Sequence, residues 1–96
     1  MSEIVRMESV TPILYGVVKI RWQDGYEAAV DLRPVIARSE LFAFLRTDPG
    51  RFSTVRLDEY GHTICWIDDE GDEIDLGAFA LRQRAERQDQ LLQLVG

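Results

Sequence analysis

The sequence is poor in the side chains from which most catalytic and metal-binding sites are built. It has one histidine, His62, and one cysteine, Cys65, so it can form neither an internal disulfide nor a metal site with two histidines. Its seven glycines are isolated from one another, which excludes a glycine-rich phosphate-binding loop. We therefore expect a chain that is not an enzyme, with no catalytic residues, no cofactor and no metal.

Long apolar runs are also missing, and the basic residues are scattered along the sequence except for Arg82, Arg84 and Arg87. No apolar run approaches the roughly 18 residues that a membrane-spanning helix needs, and the acidic N-terminus Met1-Ser2-Glu3 is unlike a secretory signal. The net charge is −6, which disfavours nucleic-acid binding because a phosphate backbone repels an acidic surface. We expect a cytoplasmic protein without membrane contact, and the single cysteine fits a reducing compartment.

Neither the rare side chains nor the acidic residues form a recognisable chemical motif. His62 and Cys65 are three residues apart on one predicted strand, so their side chains point to opposite faces and cannot form a nucleophile–base pair. Cys65 is interpreted as a small buried side chain. The acidic stretch Asp68–Asp75 fails the calcium-loop template, because Gly71 at the sixth position puts Trp66 at the first ligand position. The stretch is interpreted as a solvated turn that precedes a helix N-terminus.

β-branched and aromatic residues, in contrast, are plentiful and arranged as a hairpin. The segments Ile13–Trp22 and Tyr26–Leu32 are rich in them and flank the turn Gln23-Asp24-Gly25. A three-residue loop with Gly25 in the left-handed conformation puts the apolar side chains of both strands on one face. This register pairs Trp22 with Tyr26, Ile20 with Ala28 and Val18 with Val30.

The region after this hairpin predicts a short helix and a second hairpin. Ser39 is a good N-cap for a helix Glu40–Arg46, which would place Leu41, Phe42, Phe44 and Leu45 on and around its buried side. The second hairpin is formed by Arg51–Asp58 and Thr63–Ile67. Its apolar face requires Leu57 opposite Ile64 and Val55 opposite Trp66.

These segments predict an α+β fold with one antiparallel sheet. The sheet has about five strands, from the two β-hairpins plus an N-terminal strand Glu3–Val10 that Pro12 ends. One short helix and a longer C-terminal helix, from about Leu76 to Leu94, complete the fold. Residues 1–81 would form the α+β domain, and residues 82–96 a C-terminal helical extension of the same domain.

Several of these residues together resemble a known family. A strand runs into Asp24-Gly25, Val30-Asp31-Leu32 follows, and the second hairpin ends in Ile64-Cys65-Trp66. This pattern, over residues 10–81, is similar to the bacterial family called domain of unknown function 2442, although Ile67 stands where the family usually has proline. The resemblance implies a small α+β fold and brings no catalytic residues. Because members of the family often lie beside small partner genes, it also implies an antitoxin-like role by analogy.

The C-terminal helix is the feature that a simple core does not explain. Its middle is polar, and four apolar residues then return near its end. This end either folds back on its own domain or contacts another subunit, and both interpretations stay open. The outer face of the sheet is expected to carry a second apolar surface. The possible interface residues are Leu91, Leu92, Leu94, Val95, Tyr15 and Val17.

The function that these features favour is a non-catalytic protein-interaction or oligomerisation module. Its partner would most simply be a second copy of the chain, in a homodimer, or else another small protein that it binds in an antitoxin-like manner. The alternative is a small-molecule or metal-binding regulatory domain. It would use a pocket rim near Trp22, Tyr26 and Asp31, or the acidic turn.

Overall fold

The computed structural model describes the backbone of residues 6–95 and the side chains of residues 6–91. Six strands, three α-helices and two 3-10 helices follow one another in this part of the chain. They are β1 (Met7–Leu14), β2 (Val17–Trp22), β3 (Glu27–Asp31), α1 (Arg33–Arg38), a 3-10 helix (Glu40–Phe42), α2 (Ala43–Thr47), a second 3-10 helix (Pro49–Thr54), β4 (Arg56–Leu57), β5 (Thr63–Ile67), β6 (Glu73–Gly77) and α3 (Ala78–Val95).

The strands form two antiparallel sheets, and the α+β class is confirmed. Sheet 1 has the order β1-β2-β3, and sheet 2 has the order β4-β5-β6. The prediction of a single sheet was wrong, because among the described residues no strand of the first hairpin pairs with a strand of the second. The prediction also lacked β6, which lies where the acidic turn and the start of the last helix were expected. In β6, Ile74 lies opposite Trp66 and Leu76 opposite Ile64. This alternation places both apolar side chains against the core, and α3 therefore begins only at Ala78.

The first hairpin has the predicted register. Val18 pairs with Val30 and Ile20 with Ala28, and the amide of Trp22 donates to the carbonyl oxygen of Tyr26 at 2.8 Å. Gly25 has a φ of 92°, the left-handed conformation that the three-residue loop requires.

Sheet 1 begins with a strand whose bounds were predicted wrongly. Pro12 does not end β1 but lies inside it, opposite Val18 and beside a register shift. Because β1 is an edge strand, the missing N–H of proline costs little there. The true break falls at Tyr15-Gly16, where Gly16 has a φ of 83°. The start of the predicted strand, residues 3–5, lies outside the described residues.

The region between the sheets contains one more helix than predicted. As predicted, the strand β3 ends before Pro34. Pro34 also lies in the first turn of α1, a position that proline fits well. Ser39 acts as the predicted cap, with its Oγ accepting the amide hydrogen bond of Leu41 at 3.3 Å. The capped segment is a 3-10 turn followed by α2 rather than one helix. Leu41, expected on the buried side, is 65% exposed.

The second hairpin is shorter than predicted. Leu57 pairs with Ile64 as expected, but the ladder starts at Arg56 opposite Cys65, so the expected pairing of Val55 with Trp66 was wrong. Val55 instead follows the second 3-10 helix and is still buried. Trp66 donates its Nε1–H to the carbonyl oxygen of Phe52 at 3.0 Å, a contact that the 3-10 helix makes possible.

The core lies between the two sheets and the inner side of α3. Trp22 and Trp66 are almost completely buried, as predicted for structural aromatics. The junction of the two sheets is a close backbone contact, in which the amide of Met7 donates to the carbonyl oxygen of Gly61 at 2.8 Å. No helix among the described residues is long and apolar enough to cross a membrane.

Candidate functional site

Helix α3 folds back onto the free edge of sheet 1. Gln88 binds the backbone of Asp31 in the edge strand β3: its Oε1 accepts from the Asp31 amide at 3.0 Å, and its Nε2 donates to the Asp31 carbonyl oxygen at 3.1 Å. One turn earlier, Ala85 is completely buried. The described part of the helix is therefore docked on its own domain at least as far as Gln88.

An arginine fastens the first half of α3 to the β2–β3 loop. The guanidinium of Arg82 donates to both carboxylate oxygens of Asp24, at 3.2 and 3.0 Å, and also to Glu86 at 3.0 Å. Its carbon lies 4.1 Å from the ring centroid of Tyr26 and 5.3 Å from that of Trp22. The hydrogen bond from Arg82 lowers the pKa of Asp24, so this carboxylate stays ionised and paired at neutral pH.

A tyrosine makes the next contact along the helix. The hydroxyl of Tyr26 donates to the carboxylate of Asp89. Burial, and then this hydrogen bond, raise the pKa of Tyr26 to about 12. The phenol therefore remains a donor throughout the physiological pH range, and it holds Asp89 beside β3.

Beyond these contacts the outer face of sheet 1 and the end of α3 enclose a groove of about 440 Å³. We call it the β3–α3 groove, and it is lined by Val17, Ala29, Asp31, Arg33, Gln88, Asp89 and Leu91. Val17 and Leu91 were predicted as interface residues from separate parts of the sequence, and the fold brings them to one site. Leu91 is 58% exposed, so its side chain remains available to a partner.

One ion pair borders the apolar part of this groove. The guanidinium of Arg33 lies 2.9 Å from each carboxylate oxygen of Asp31. The hydrogen bond from Arg33 is the main cause that lowers the pKa of Asp31. The groove thus offers apolar surface from Val17, Ala29 and Leu91 beside one fixed charge of each sign.

The other predicted interface residues do not join the groove. Tyr15 lies at the β1–β2 turn, where its hydroxyl donates to the carbonyl oxygen of Leu45 at 3.3 Å and its ring packs on Phe52. Its neighbours Ile13 and Leu14 are more than half exposed, so a separate apolar patch exists there. The side chains of the remaining predicted residues, Leu92, Leu94 and Val95, lie outside the described residues.

The rare and acidic side chains are placed as structural residues. Cys65 is 1% exposed, and its burial raises the pKa of the thiol, whereas His62 is exposed at the hairpin tip. The carboxylate of Asp68 accepts the amides of Glu70 and Asp72, both at 2.9 Å, and so shapes the acidic turn. Within residues 6–91, no group of three or more His, Cys, Asp or Glu side chains is arranged to hold a metal ion.

Sequence reasoning named Asp31 as part of a possible site but missed the other polar residues of the groove. Gln88 had a visible signal: with Leu81 and Ala85, both buried, it lies on the four-three stripe of the last helix. A lone amide in an otherwise apolar stripe indicates a buried hydrogen bond. Asp89 carried no such signal, because its partner Tyr26 lies 63 residues away in the sequence. Arg33 lies only two residues after its partner Asp31, and that spacing was its signal.

The fold and this groove define a small α+β domain whose C-terminal helix covers a sheet edge and leaves an apolar groove beside it. The chain belongs to the family described as Protein of unknown function (DUF2442), whose family model matches residues 7–87. The match covers both sheets and the part of α3 that carries Arg82 and Ala85. No curated protein and no solved structure matches the chain.

Proposed function

We propose that this chain is a non-catalytic, cytoplasmic interaction module that forms a homodimer through the β3–α3 groove. The observation that carries the proposal is the meeting of Val17 and Leu91, two independently predicted interface residues, in one apolar groove. The buried thiol of Cys65 and the exposed His62 supply no nucleophile–base pair, which supports a non-catalytic role. One free cysteine suits a reducing compartment.

A two-fold symmetric dimer is the simplest arrangement that this surface supports. Such a dimer uses the same patch on both subunits, so the Leu91 of one copy could pack against the groove of the other. Burying an exposed leucine contributes about 1.5–3 kcal/mol. The paired charges of Asp31 and Arg33 at the groove's border would fix the register of the two copies. An antitoxin-like complex with another small protein would use the same surface.

The alternative, a small-molecule-binding regulatory domain, has one supporting observation. The β3–α3 groove has a volume of about 440 Å³, which lies within the range of roughly 300–1,000 Å³ for ligand pockets. Of the residues from which the sequence suggested this function, Asp31 lines the groove, whereas Trp22 is fully buried and the Asp68 carboxylate is engaged by backbone amides. We therefore favour the interaction module.

The mass of the purified chain in solution tests the proposal. Light scattering after size exclusion should give twice the mass of one chain, and Leu91→Gln should weaken the dimer about tenfold or more. The matched control is Leu41→Gln, because Leu41 is also an exposed leucine, at 65%, and does not line the groove. Removal of residues 90–96 should likewise produce a monomer. A wild-type monomer at all concentrations, or equal effects of the two leucine variants, would contradict the proposal.

A further inference from the structure

A second groove lies between α1, the end of β6 and the middle of α3. It consists of two adjoining cavities of about 250 and 320 Å³ that share Val35 and Arg84. Its floor is apolar, and its rim carries three arginines from two helices. We call it the arginine groove, and its principal residues are Leu32, Val35, Arg38, Leu76, Arg84 and Arg87. It shares no residue with the β3–α3 groove.

The three arginines of this groove have no acidic partner in the part of the chain that the structure describes. Five other arginines of the chain lie within 4.0 Å of a carboxylate: Arg21, Arg33, Arg46, Arg51 and Arg82. Arg38, Arg84 and Arg87 make no such pair and no side-chain hydrogen bond among the described residues. The charge of Arg84 helps to lower the pKa of Asp31, but the carboxylate of Asp31 is already bound by Arg33.

The charge of this grouping is opposite in sign to the net charge of the chain. The chain has 17 acidic and 11 basic residues, and these three cations lie together without an acidic partner among the described residues. A guanidinium presents its donors in a planar fork that matches a carboxylate. Val35 and Leu76 are only half-buried, so the floor below the arginines can receive apolar side chains.

We propose that the arginine groove binds an acidic peptide segment of a partner protein, with carboxylates on Arg38, Arg84 and Arg87 and apolar side chains on the floor. A nucleic acid fits these features less well, because the net charge of −6 opposes it and no aromatic side chain lines the groove for base stacking. The proposal goes beyond homodimerisation and does not depend on it.

Fluorescence anisotropy with the full chain tests this binding. The probe is a labelled synthetic peptide with Glu on one face of a helix and Leu on the other, each repeated every three to four residues. One control is the same peptide with Gln for every Glu, and the other is a labelled oligothymidine. We expect binding of the Glu peptide only, weakened by added salt. The double variant Arg84→Gln/Arg87→Gln should weaken binding about tenfold or more. Arg56→Gln, an exposed arginine outside the groove, should leave it almost unchanged.

A second pair of variants keeps both arginines. Ala80 is exposed, lines the groove and lies one turn before Arg84. Ala80→Glu would place a carboxylate within reach of Arg84, so it should reduce peptide binding without lowering the melting temperature. Ala80→Gln, of equal size but neutral, should reduce binding much less.

Three results would overturn the assignment. They are no binding of the Glu peptide, equal binding by the arginine double variant and the wild type, and equal losses in the two Ala80 variants. Binding of oligothymidine that the same double variant abolishes would assign the groove to nucleic acid instead. A wild-type monomer that still binds the Glu peptide would remove the dimer and retain this site, so the two proposals fail separately.

Discussion

Each sheet buries one tryptophan, but the two sheets hold it in different ways. In sheet 2, Trp66 donates to the Phe52 carbonyl oxygen, and its ring packs against Phe42 and Phe52, with both centroid distances 5.7 Å. In sheet 1, the Nε1–H of Trp22 has no hydrogen-bond partner among the described residues. Its ring is covered instead by Tyr26 and by the guanidinium of Arg82.

The difference shows which parts of the chain complete each sheet. In sheet 2 the tryptophan is held by a residue close to it in the sequence, since Phe52 lies 14 residues before Trp66. Sheet 1 depends on α3, because Arg82 and Gln88 reach Asp24 and Asp31 across 58 and 57 residues of sequence. A partner that binds α3 would therefore act on sheet 1 first.

The contact that joins the two sheets should be the most sensitive position. Gly61 has a φ of 74°, and a Cβ added there would overlap the carbonyl oxygen of Met7 in β1. We expect Gly61→Ala to lower the free energy of unfolding by about 2–5 kcal/mol in a urea titration. Gly71 has a φ of 85° with open space around it, so Gly71→Ala should cost only about 1–2 kcal/mol. Equal costs would show that the junction carries no special strain.

The two tryptophans should respond unequally to the same substitution. Trp66→Phe leaves the Phe52 carbonyl oxygen unpaired as well as a cavity, so we expect a loss of about 2–4 kcal/mol. Trp22→Phe leaves a cavity but removes an N–H that had no partner, so we expect about 1–2 kcal/mol. Urea unfolding followed by circular dichroism measures both values. A larger loss at Trp22 would contradict the comparison.

Arg82 tests the dependence of sheet 1 on α3. Arg82→Met removes the cation that covers Tyr26 and Trp22. We expect the free energy of unfolding, measured in a urea titration, to fall by about 1 kcal/mol, the contribution of this stacking. Arg82→Lys keeps the charge but not the planar group, so it should recover only part of this loss of unfolding free energy. Full recovery by lysine would show that charge alone, rather than stacking on the rings, holds the helix.

The smallest effect is confined to high pH. The pKa of Tyr26 is raised from 10.0 to about 12 in the folded chain, so the folded state retains this proton more strongly than the unfolded state. The resulting stability is fully present below pH 10 and is lost as the pH rises towards about 12. Tyr26→Phe should remove this part of the alkaline loss in melting temperatures measured across that range. An unchanged alkaline profile would contradict the raised pKa of Tyr26.

The sequence predicted the first hairpin with its register, because pairing Ile20 with Ala28 and Val18 with Val30 places apolar side chains opposite one another on one face. It did not predict β6, because Glu73 and Asp75 were interpreted as part of a solvated turn. Ile74 and Leu76 nevertheless alternate with them as in a strand. The wrong end of β1 at Pro12 and the missed helix at Pro34 have a common reason. A proline signals a local constraint, but its consequence depends on whether it lies on a sheet edge or in a first helical turn.

The candidate site was predictable in its apolar part and at Asp31, but not in its long-range pairings. Val17 and Leu91 were identified because exposed apolar side chains must be explained wherever they lie. The pairings of Gln88 with Asp31 and of Tyr26 with Asp89 join residues more than 50 positions apart. Such pairings depend on how the helix packs against the sheet, so the partner of each residue cannot be predicted from a local sequence pattern.

The amide of Gln88 also has a protective consequence. A free outer strand offers its backbone as a template on which further strands can add, and this is a common route to fibrous aggregates. By occupying the N–H and C=O of Asp31, Gln88 closes that template at the end of β3 with a side chain in place of a strand. The same contact that docks the helix thus removes the end of β3 as a place where another strand could add.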